Sequence, residues 1–239
     1  MPRLSNAEAV KMLVESKAGN IRDLSDPEQK AYQYSSGWFG PGYLLVKGLV
    51  GKRSILKALV EELAWRILDS GVLARIDFVA ANATGGMVPG WILAEKLDAT
   101  AGRHIPYVYV RNTRKIGGTQ EYVTGHQNNP EVQPGMRALV FEELVNFAET
   151  TCNSARVLRD EGFVVIDAAT IFYYANPEAD KALAELGVTM THLVSLPEFL
   201  DVAEEERLFP ARAIRDYREY LDDPIAWNKA RGFEQVIPK

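Results

Sequence analysis

The stretch Ile76-Asp77-Phe78-Val79-Ala80-Ala81-Asn82-Ala83-Thr84-Gly85-Gly86-Met87 decides the fold class. Its apolar run over Ile76–Ala80 is short and suits a β-strand that is buried on both faces. The glycine pair follows, and a helical pattern then runs to about Leu97. Paired glycines before a helix let backbone N–H groups approach an anion closely. The alternative is an ordinary tight turn, since neither a GxxxxGK[ST] nor a GxGxxG motif occurs.

Strands and helices alternate on both sides of this stretch. Apolar residues repeat every four positions from Ile55 to Ile67, which predicts a helix over about 54–70 that Gly71 ends. Further strands are predicted over Pro106–Val110, Arg137–Phe141, Phe163–Phe172 and Val188–Ser195, with helices up to about Glu161, over 177–186 and over 196–231. This alternation predicts an α/β fold in which helices flank a mostly parallel central sheet.

The N-terminal region and one internal stretch depart from the alternation. Ser5 and Glu8 form a capping-box pattern that predicts a helix over about 6–17. Residues 21–42 are irregular, with short strand pieces at Tyr32, Tyr34 and Tyr43–Val46. Residues 112–135 are polar and glycine-rich, and a connection of this length in a compact domain is usually functional or disordered.

Composition excludes several classes of protein. The 239 residues are 47% hydrophobic and 25% charged, with a net charge of −5. This is ordinary for a globular enzyme or small-ligand binder, and it shows no basic nucleic-acid footprint. No apolar run approaches the roughly 18 residues of a membrane span, and the N-terminus has no signal core. The single cysteine, Cys152, cannot form an internal disulfide, which favours a reducing, cytosolic setting.

Charged residues follow the predicted strands, where ligands of open α/β sheets bind. Arg111 comes directly after one strand, and Arg114, Lys115 and a glycine pair at 117–118 follow it, as expected of a loop that closes over phosphates. Glu142 and Glu143 follow another strand and suit sugar hydroxyls, hydrated Mg²⁺ or a developing cation. Ordinary surface charges remain the alternative for both groups. The three histidines have no metal-ligand spacing.

The order of these signals resembles the type I phosphoribosyltransferases, and among them the orotate phosphoribosyltransferases, over nearly the whole chain. Residues 32–37 with Pro41 and Tyr43 match that family's N-terminal hood, and Ala83–Gly86 match its pyrophosphate loop. Residues 109–115 with Gly118 and Gly125 match its mobile loop. The resemblance implies one structural domain with a helix and hood over 1–50 and a core over 51–239.

The resemblance also implies a reaction. Such enzymes displace pyrophosphate from phosphoribosyl pyrophosphate (PRPP) with orotate, giving orotidine 5′-monophosphate in pyrimidine biosynthesis. They use Mg²⁺ that arrives with PRPP, without a protein cage, and they work as homodimers. We expect neither nucleic acid nor membrane as a partner, and we expect a cytoplasmic protein.

Site residues carry over by position. Arg111 and Lys115 would clamp the pyrophosphate as catalytic residues, and Glu142 and Glu143 would hold the ribose hydroxyls and face the oxocarbenium-like centre. The remaining residues implied to bind substrate are Thr84, Gly85, Gly86, Arg114, Gly118, Tyr34 and Ser35, together with the 5′-phosphate loop Asn146, Phe147, Ala148, Glu149 and Thr150.

That 5′-phosphate loop departs from the family pattern, which has small residues, hydroxyls and glycines after the two acids. Phe147 adds bulk, Ala148 replaces a glycine, and Glu149 would place a negative charge beside the phosphate. At about 4 Å and an effective dielectric near 20, a like-charge pair costs up to about 4 kcal/mol. An alternative register sets Thr150–Ser154 against the family's loop, at the cost of a four-residue insertion.

Three functions therefore stay open at the level of sequence. The chain is an orotate phosphoribosyltransferase, or a related transferase with another base or donor, or a non-catalytic relative that binds a nucleotide or a protein. Arg111, Lys115, the glycine pair and both acids favour the first two. The altered phosphate loop favours the second or third.

Overall fold

The computed structural model describes residues 3–34, 37–111 and 121–236. Its N-terminal region is a helix followed by short strands. The elements are α1 (Asn6–Glu15), β1 (Gly19–Ile21), β2 (Tyr32–Gln33), β3 (Phe39–Gly40) and β4 (Gly42–Leu44). The capping box at Ser5 and Glu8 is confirmed, with each side chain accepting the other residue's backbone N–H. β1 pairs with β4 and β2 with β3, both antiparallel, and a 3₁₀ helix over Val46–Gly51 leads into the core.

In the described residues the core is a mostly parallel sheet, as predicted, and it has six strands where the sequence predicted five. Its strands are β5 (Phe78–Asn82), β6 (Tyr107–Val110), β7 (Val123–Thr124), β8 (Arg137–Val145), β9 (Val164–Tyr173) and β10 (Thr189–Ser195). They lie in the order β10–β9–β8–β5–β6–β7, and only β7 is antiparallel to its neighbour. The carboxyl ends of β5, β6 and β8 therefore meet at one edge of the sheet.

Helices cover both faces of this sheet. They are α2 (Arg53–Asp69), α3 (Met87–Ala101), α4 (Glu149–Asp160), α5 (Pro177–Glu185), α6 (Leu196–Glu205), α7 (Ala211–Asp222) and α8 (Pro224–Ala230). Alternate residues of β5 enter two separate apolar clusters: Val79 packs with α2 and α3, and Phe78 packs with α4. The period of two along a strand thus builds a core on each side of the sheet. Among the described residues, no helix is long and apolar enough to span a membrane.

Several boundaries differ from the sequence predictions. β5 ends at Asn82 rather than Ala80, and the short strand β7 lies within the irregular stretch 112–135. β8 continues four residues past Phe141 to Val145, so Glu142 and Glu143 lie within the strand rather than after it. The C-terminal stretch 196–231 is three helices, because Pro210 and Pro224 each stand where a new helix begins and cannot continue the preceding one.

Candidate active site

The turn after β5 lies against the end of β6. Asn82 pairs with Val110 in the parallel register, and the Ala83 N–H donates to the Val110 carbonyl at 2.8 Å. The Ala83–Thr84 peptide bond is cis. Thr84 is exposed, Gly85 is half-buried and Gly86 is buried at the first turn of α3. This turn therefore presents backbone at the carboxyl edge of the sheet, directly beside Arg111.

Both glycines of this turn are required by close approaches. A Cβ on Gly85 would overlap the carboxylate of Glu143, so the two residues are in direct contact. A Cβ on Gly86 would lie 2.8 Å from the Asn82 carbonyl oxygen and 3.1 Å from that of Phe141. In the described part of the chain the N-terminus of α3 has no side-chain cap. Its backbone N–H groups and dipole are therefore suited to an anion.

Glu142 is held by hydrogen bonds on one side of β8. The Thr151 hydroxyl donates to its Oε2 at 2.6 Å, and the Asn82 amide donates to the same oxygen at 3.2 Å. Burial raises the pKa of Glu142 from its ordinary value of 4.5 to about 7, an effect that the hydrogen bond from Thr151 opposes. Glu142 is therefore only partly ionised at neutral pH.

Glu143 points to the opposite side of β8, because successive residues of a strand alternate. Its carboxylate covers Gly85. Burial raises the pKa of Glu143, and the ammonium group of Lys47 in the 3₁₀ helix lowers it. The two adjacent acids thus have different surroundings, and Glu143 is the one that contacts the glycine turn.

Arg111 is the first residue after β6. Its backbone N–H donates to the Tyr122 carbonyl, and its guanidinium donates to the Thr124 hydroxyl and to the Tyr109 hydroxyl, each at 3.2 Å. These contacts hold the guanidinium by Thr124 of β7 and Tyr109 of β6. The backbone just before Arg111 adjoins the turn after β5, because the Ala83 N–H donates to the Val110 carbonyl.

A second turn, residues 146–148, follows β8 and leads into α4. The Asn176 amide donates to Asn146 Oδ1 at 3.5 Å, and Phe147 is 53% exposed. Ala148 is buried and has φ of +58°, a conformation that favours glycine. Glu149 is exposed at the first position of α4. The half-buried Thr150 hydrogen-bonds to Glu142 and opposes the rise of its pKa.

The alternative register of this loop is wrong. Thr150–Ser154 would have to form a loop, but these residues lie inside α4 and Thr151, Cys152 and Ser154 are buried there. The ungapped register places Ala148, at positive φ, where the family pattern has a glycine.

Of the remaining predicted substrate-binding or catalytic residues, the structure describes Tyr34. Lys115, Arg114, Gly118 and Ser35 are outside the described residues. Tyr34 is half-buried, its hydroxyl donates to the Gly42 carbonyl, and its ring packs against Tyr220 of α7. The Tyr34 side chain is therefore engaged between the hood and the C-terminal helices.

Two residues at the site, Asn82 and Lys47, were missed as functional candidates, and Thr151 was considered only in the alternative register of the phosphate loop. Asn82 and Thr151 bind Glu142, and Lys47 acts on Glu143. Asn82 carries a usable signal, since a polar residue ending an otherwise apolar strand is suited to a ligand or to a buried partner. Lys47 carries no such local signal, because Glu143 is about a hundred residues away in the chain. Thr151 carries none either, although its partner Glu142 is only nine residues away.

Comparisons with known proteins bear on this arrangement. Residues 51–194 match the family model described as phosphoribosyl transferase domain. An orotate phosphoribosyltransferase of Sinorhizobium fredii is 30% identical over 223 residues, covering 93% of this chain and 89% of that protein.

Solved structures show the same fold. An orotate phosphoribosyltransferase from Aeropyrum pernix superposes with a TM-score of 0.64 at 24% identity, covering 84% of this chain and 99% of that one. The UMP synthase of Leishmania donovani gives a TM-score of 0.69 at 20% identity over 92% of this chain, which spans 42% of that longer protein. The chain that carries this sheet, glycine turn and acid pair thus has many relatives of similar sequence or fold.

Proposed function

The chain belongs to the phosphoribosyltransferase family, and on that premise we propose that it transfers the phosphoribosyl group of PRPP to orotate, releasing pyrophosphate. The contact between Glu143 and Gly85 carries this proposal. It joins an anion-binding turn and an acidic strand end into one site, as a substrate with a pyrophosphate on a ribose requires. The reaction serves pyrimidine biosynthesis.

The pyrophosphate would bind at the turn after β5. Backbone N–H groups of Thr84, Gly85 and Gly86 and the N-terminus of α3 favour its negative charge. Arg111 stands beside this turn and supplies a fixed cation. Lys115, with Arg114 and Gly118 on the same loop, would add charge that neutralises the pyrophosphate as it leaves. No side-chain nucleophile is needed, because positioning and charge stabilisation carry the step.

The ribose would lie against the acid pair. Glu143 and Glu142 accept hydrogen bonds from its hydroxyl groups, and their charge favours the cationic centre that develops as the bond to pyrophosphate lengthens. Glu142 contributes fully only when ionised, so its raised pKa makes the rate depend on pH near 7. Orotate then attacks from the hood side, which Tyr34 and Ser35 would line.

Magnesium fits this site as a companion of PRPP. Within the described residues no three His, Cys, Asp or Glu side chains cluster in a way that could hold a metal ion. Mg²⁺ is commonly bound by one or two carboxylates together with substrate phosphates. Glu143, which contacts Gly85, would hold it with PRPP, and it would supply neutralisation of the pyrophosphate charge.

The wider assignment is a cytoplasmic homodimer that acts on small molecules and uses neither membrane nor nucleic acid. An exposed apolar pair on α3, Val88 and Trp91, supports a subunit contact near the site. The single cysteine is free and buried, which supports a reducing setting. The division into a hood over 1–50 and a core over 51–239 stays a prediction, supported by the start of the family match at residue 51.

A second candidate is a transferase that uses a different donor or base. Glu149 stands exposed at the first position of α4, and Phe147 is exposed beside it. A phosphate at this turn would meet a carboxylate instead of bare N–H groups. This observation favours a donor without the usual 5′-phosphate, or weak binding of PRPP.

Turnover with PRPP, Mg²⁺ and orotate tests the proposal, followed as loss of orotate absorbance. Lys115→Ala should abolish turnover, whereas Lys57→Ala, which removes an exposed lysine of α2, should leave it unchanged. Activity with another base but not with orotate would favour the second candidate. Absence of turnover together with absence of heat on titrating PRPP would exclude the proposed function and any transferase that uses PRPP.

A further inference from the structure

The C-terminal helix α8 is joined to the hood by a buried asparagine. Asn228 is fully buried, and its amide Nδ2 donates to the Phe39 carbonyl at 2.9 Å. Its Oδ1 accepts the Phe39 N–H at 3.1 Å, so one side chain binds both polar groups of a β3 residue. The same Nδ2 donates to the Pro224 carbonyl at 2.8 Å. Asn228 thus takes the place of a neighbouring strand at β3.

The C-terminal tail, residues 231–236, continues this contact along the hood hairpin formed by β2 and β3. The Val236 N–H donates to the Gly37 carbonyl at 3.0 Å, and the Gln33 amide donates to the Val236 carbonyl at 3.1 Å. Phe233 stacks on Phe39 with ring centroids 4.9 Å apart. The tail therefore contacts Gln33 of β2, Phe39 of β3, and Gly37 between the two strands.

The hairpin depends on these contacts for its position. Each of its strands has two residues, and an isolated two-stranded hairpin is marginally stable at best in water. A single, fully buried Asn228 side chain fixes β3 by two hydrogen bonds, and buried polar groups left unpaired are costly. Loss of that side chain should release the hairpin while the sheet stays folded.

The hairpin is anchored beside the carboxyl edge of the sheet. Tyr34, which follows β2, contacts Tyr220 of α7, and its pKa is raised by burial and by the nearby hydroxyls of Tyr220 and Tyr174. Tyr174 follows β9, and its N–H donates to the carbonyl of Val145 at the end of β8. Movement of the hairpin would therefore alter the space above the strand that carries Glu142 and Glu143.

We infer that Asn228 is a positioning residue for the acceptor base, acting through the hood hairpin. This inference rests on the proposed function, in which orotate binds from the hood side and PRPP binds at the turn after β5. In this arrangement the hood hairpin positions orotate, whereas the turn after β5 positions PRPP. A change at Asn228 should weaken orotate binding and leave PRPP binding largely intact.

Steady-state kinetics of Asn228→Ala test the inference. The KM for orotate should rise about tenfold, as expected for loss of hydrogen bonds to buried groups, while the KM for PRPP stays within about twofold. Lys229→Ala on the exposed side of the same helix is the matched control and should match the wild type. Hydrogen exchange of the peptide covering residues 32–40 should be faster in Asn228→Ala than in the wild type, and it should be unchanged in Lys229→Ala.

A second variant covers the case in which Asn228→Ala does not fold. Phe233→Ala removes the ring that stacks on Phe39 and leaves the buried Asn228 amide in place, and it should raise the orotate KM about threefold. An unchanged orotate KM, an equal rise in both KM values, or unchanged hairpin exchange would overturn the inference. A wild-type protein that binds PRPP but never consumes orotate would instead contradict the proposed function.

Discussion

Two turns leave the carboxyl edge of the sheet next to each other, and they differ in how tightly their residues are constrained. In the turn after β5, Gly85 lies on Glu143 and Gly86 lies on two backbone carbonyls, so neither position has space for a side chain. In the turn after β8, Phe147 is exposed and Ala148 occupies a conformation that favours glycine.

The difference separates the two ends of the proposed substrate. The first turn has the properties of a pyrophosphate site, whereas the second presents bulk and a carboxylate where a 5′-phosphate would bind. We therefore expect PRPP to be held mainly by its pyrophosphate. The predictions that follow test this asymmetry, from the largest expected effect to the smallest.

Gly85→Ala should have the largest effect. The new methyl group would overlap the Glu143 carboxylate and force the turn and the acid apart. We expect a loss of kcat/KM of about 1000-fold, since displaced donors at a reacting centre cost two to three orders of magnitude. Gly51→Ala is the control, because a Cβ there meets nothing within 4 Å. Similar activity of both variants would show that the turn does not bind substrate.

Glu142→Gln should lower activity and raise stability at once. Loss of the carboxylate should reduce kcat/KM about 100-fold. The same change removes a carboxyl whose pKa is raised to about 7 by burial. The free energy of unfolding at pH 8 should therefore increase, by at most about 3 kcal/mol for a shift of this size. Chemical denaturation checks the gain, and a loss of stability would contradict it.

The pH dependence of that gain follows from the direction of the pKa shift. Between pH 4.5 and about 7 the folded wild type keeps a proton on Glu142 that the unfolded chain has lost. Its stability should fall as pH rises through this window. The difference between Glu142→Gln and the wild type should therefore grow from pH 4.5 to 7 and then stay constant, and a difference independent of pH would refute the assignment.

The turn after β8 should bind PRPP more tightly when its residues are made more like those of a phosphate site. Phe147→Thr combined with Glu149→Gly removes the bulk and the carboxylate, and we expect about tenfold tighter binding of PRPP, well below the upper limit for a like-charge pair. Calorimetry checks the change. Weaker binding in the double variant would show that the turn is not where the 5′-phosphate lies.

Lys47→Ala should have the smallest effect. Removal of its charge should raise the pKa of Glu143 further, since Lys47 lowers it in the wild type. Lys47 is exposed, and exposed charge pairs contribute about 0.2–1 kcal/mol. We expect kcat/KM at pH 6 to fall by no more than about fivefold, with Lys57→Ala unaffected. If Lys47→Ala and the wild type have equal kcat/KM at pH 6, Lys47 does not contribute to the active site.

The sheet and the order of the site signals could be predicted, because each strand is an apolar run and each signal stands at its end. The true end of β8 could not be predicted, because Glu142 and Glu143 interrupt the apolar pattern. Hydrogen bonds from Asn82 and Thr151 stabilise Glu142 in its half-buried position within the strand. β7 has two residues, too few for a period of two to be visible. Asn228 has no local signal, because its partner Phe39 is 189 residues away.

The ratio of two dissociation constants tests the asymmetry most directly. Calorimetric titration with pyrophosphate and with ribose 5-phosphate, in the same Mg²⁺ buffer, probes the two turns separately. We predict that pyrophosphate binds at least about tenfold more tightly, and that Gly85→Ala removes this binding. Tighter binding of ribose 5-phosphate, or pyrophosphate binding that survives Gly85→Ala, would contradict the account.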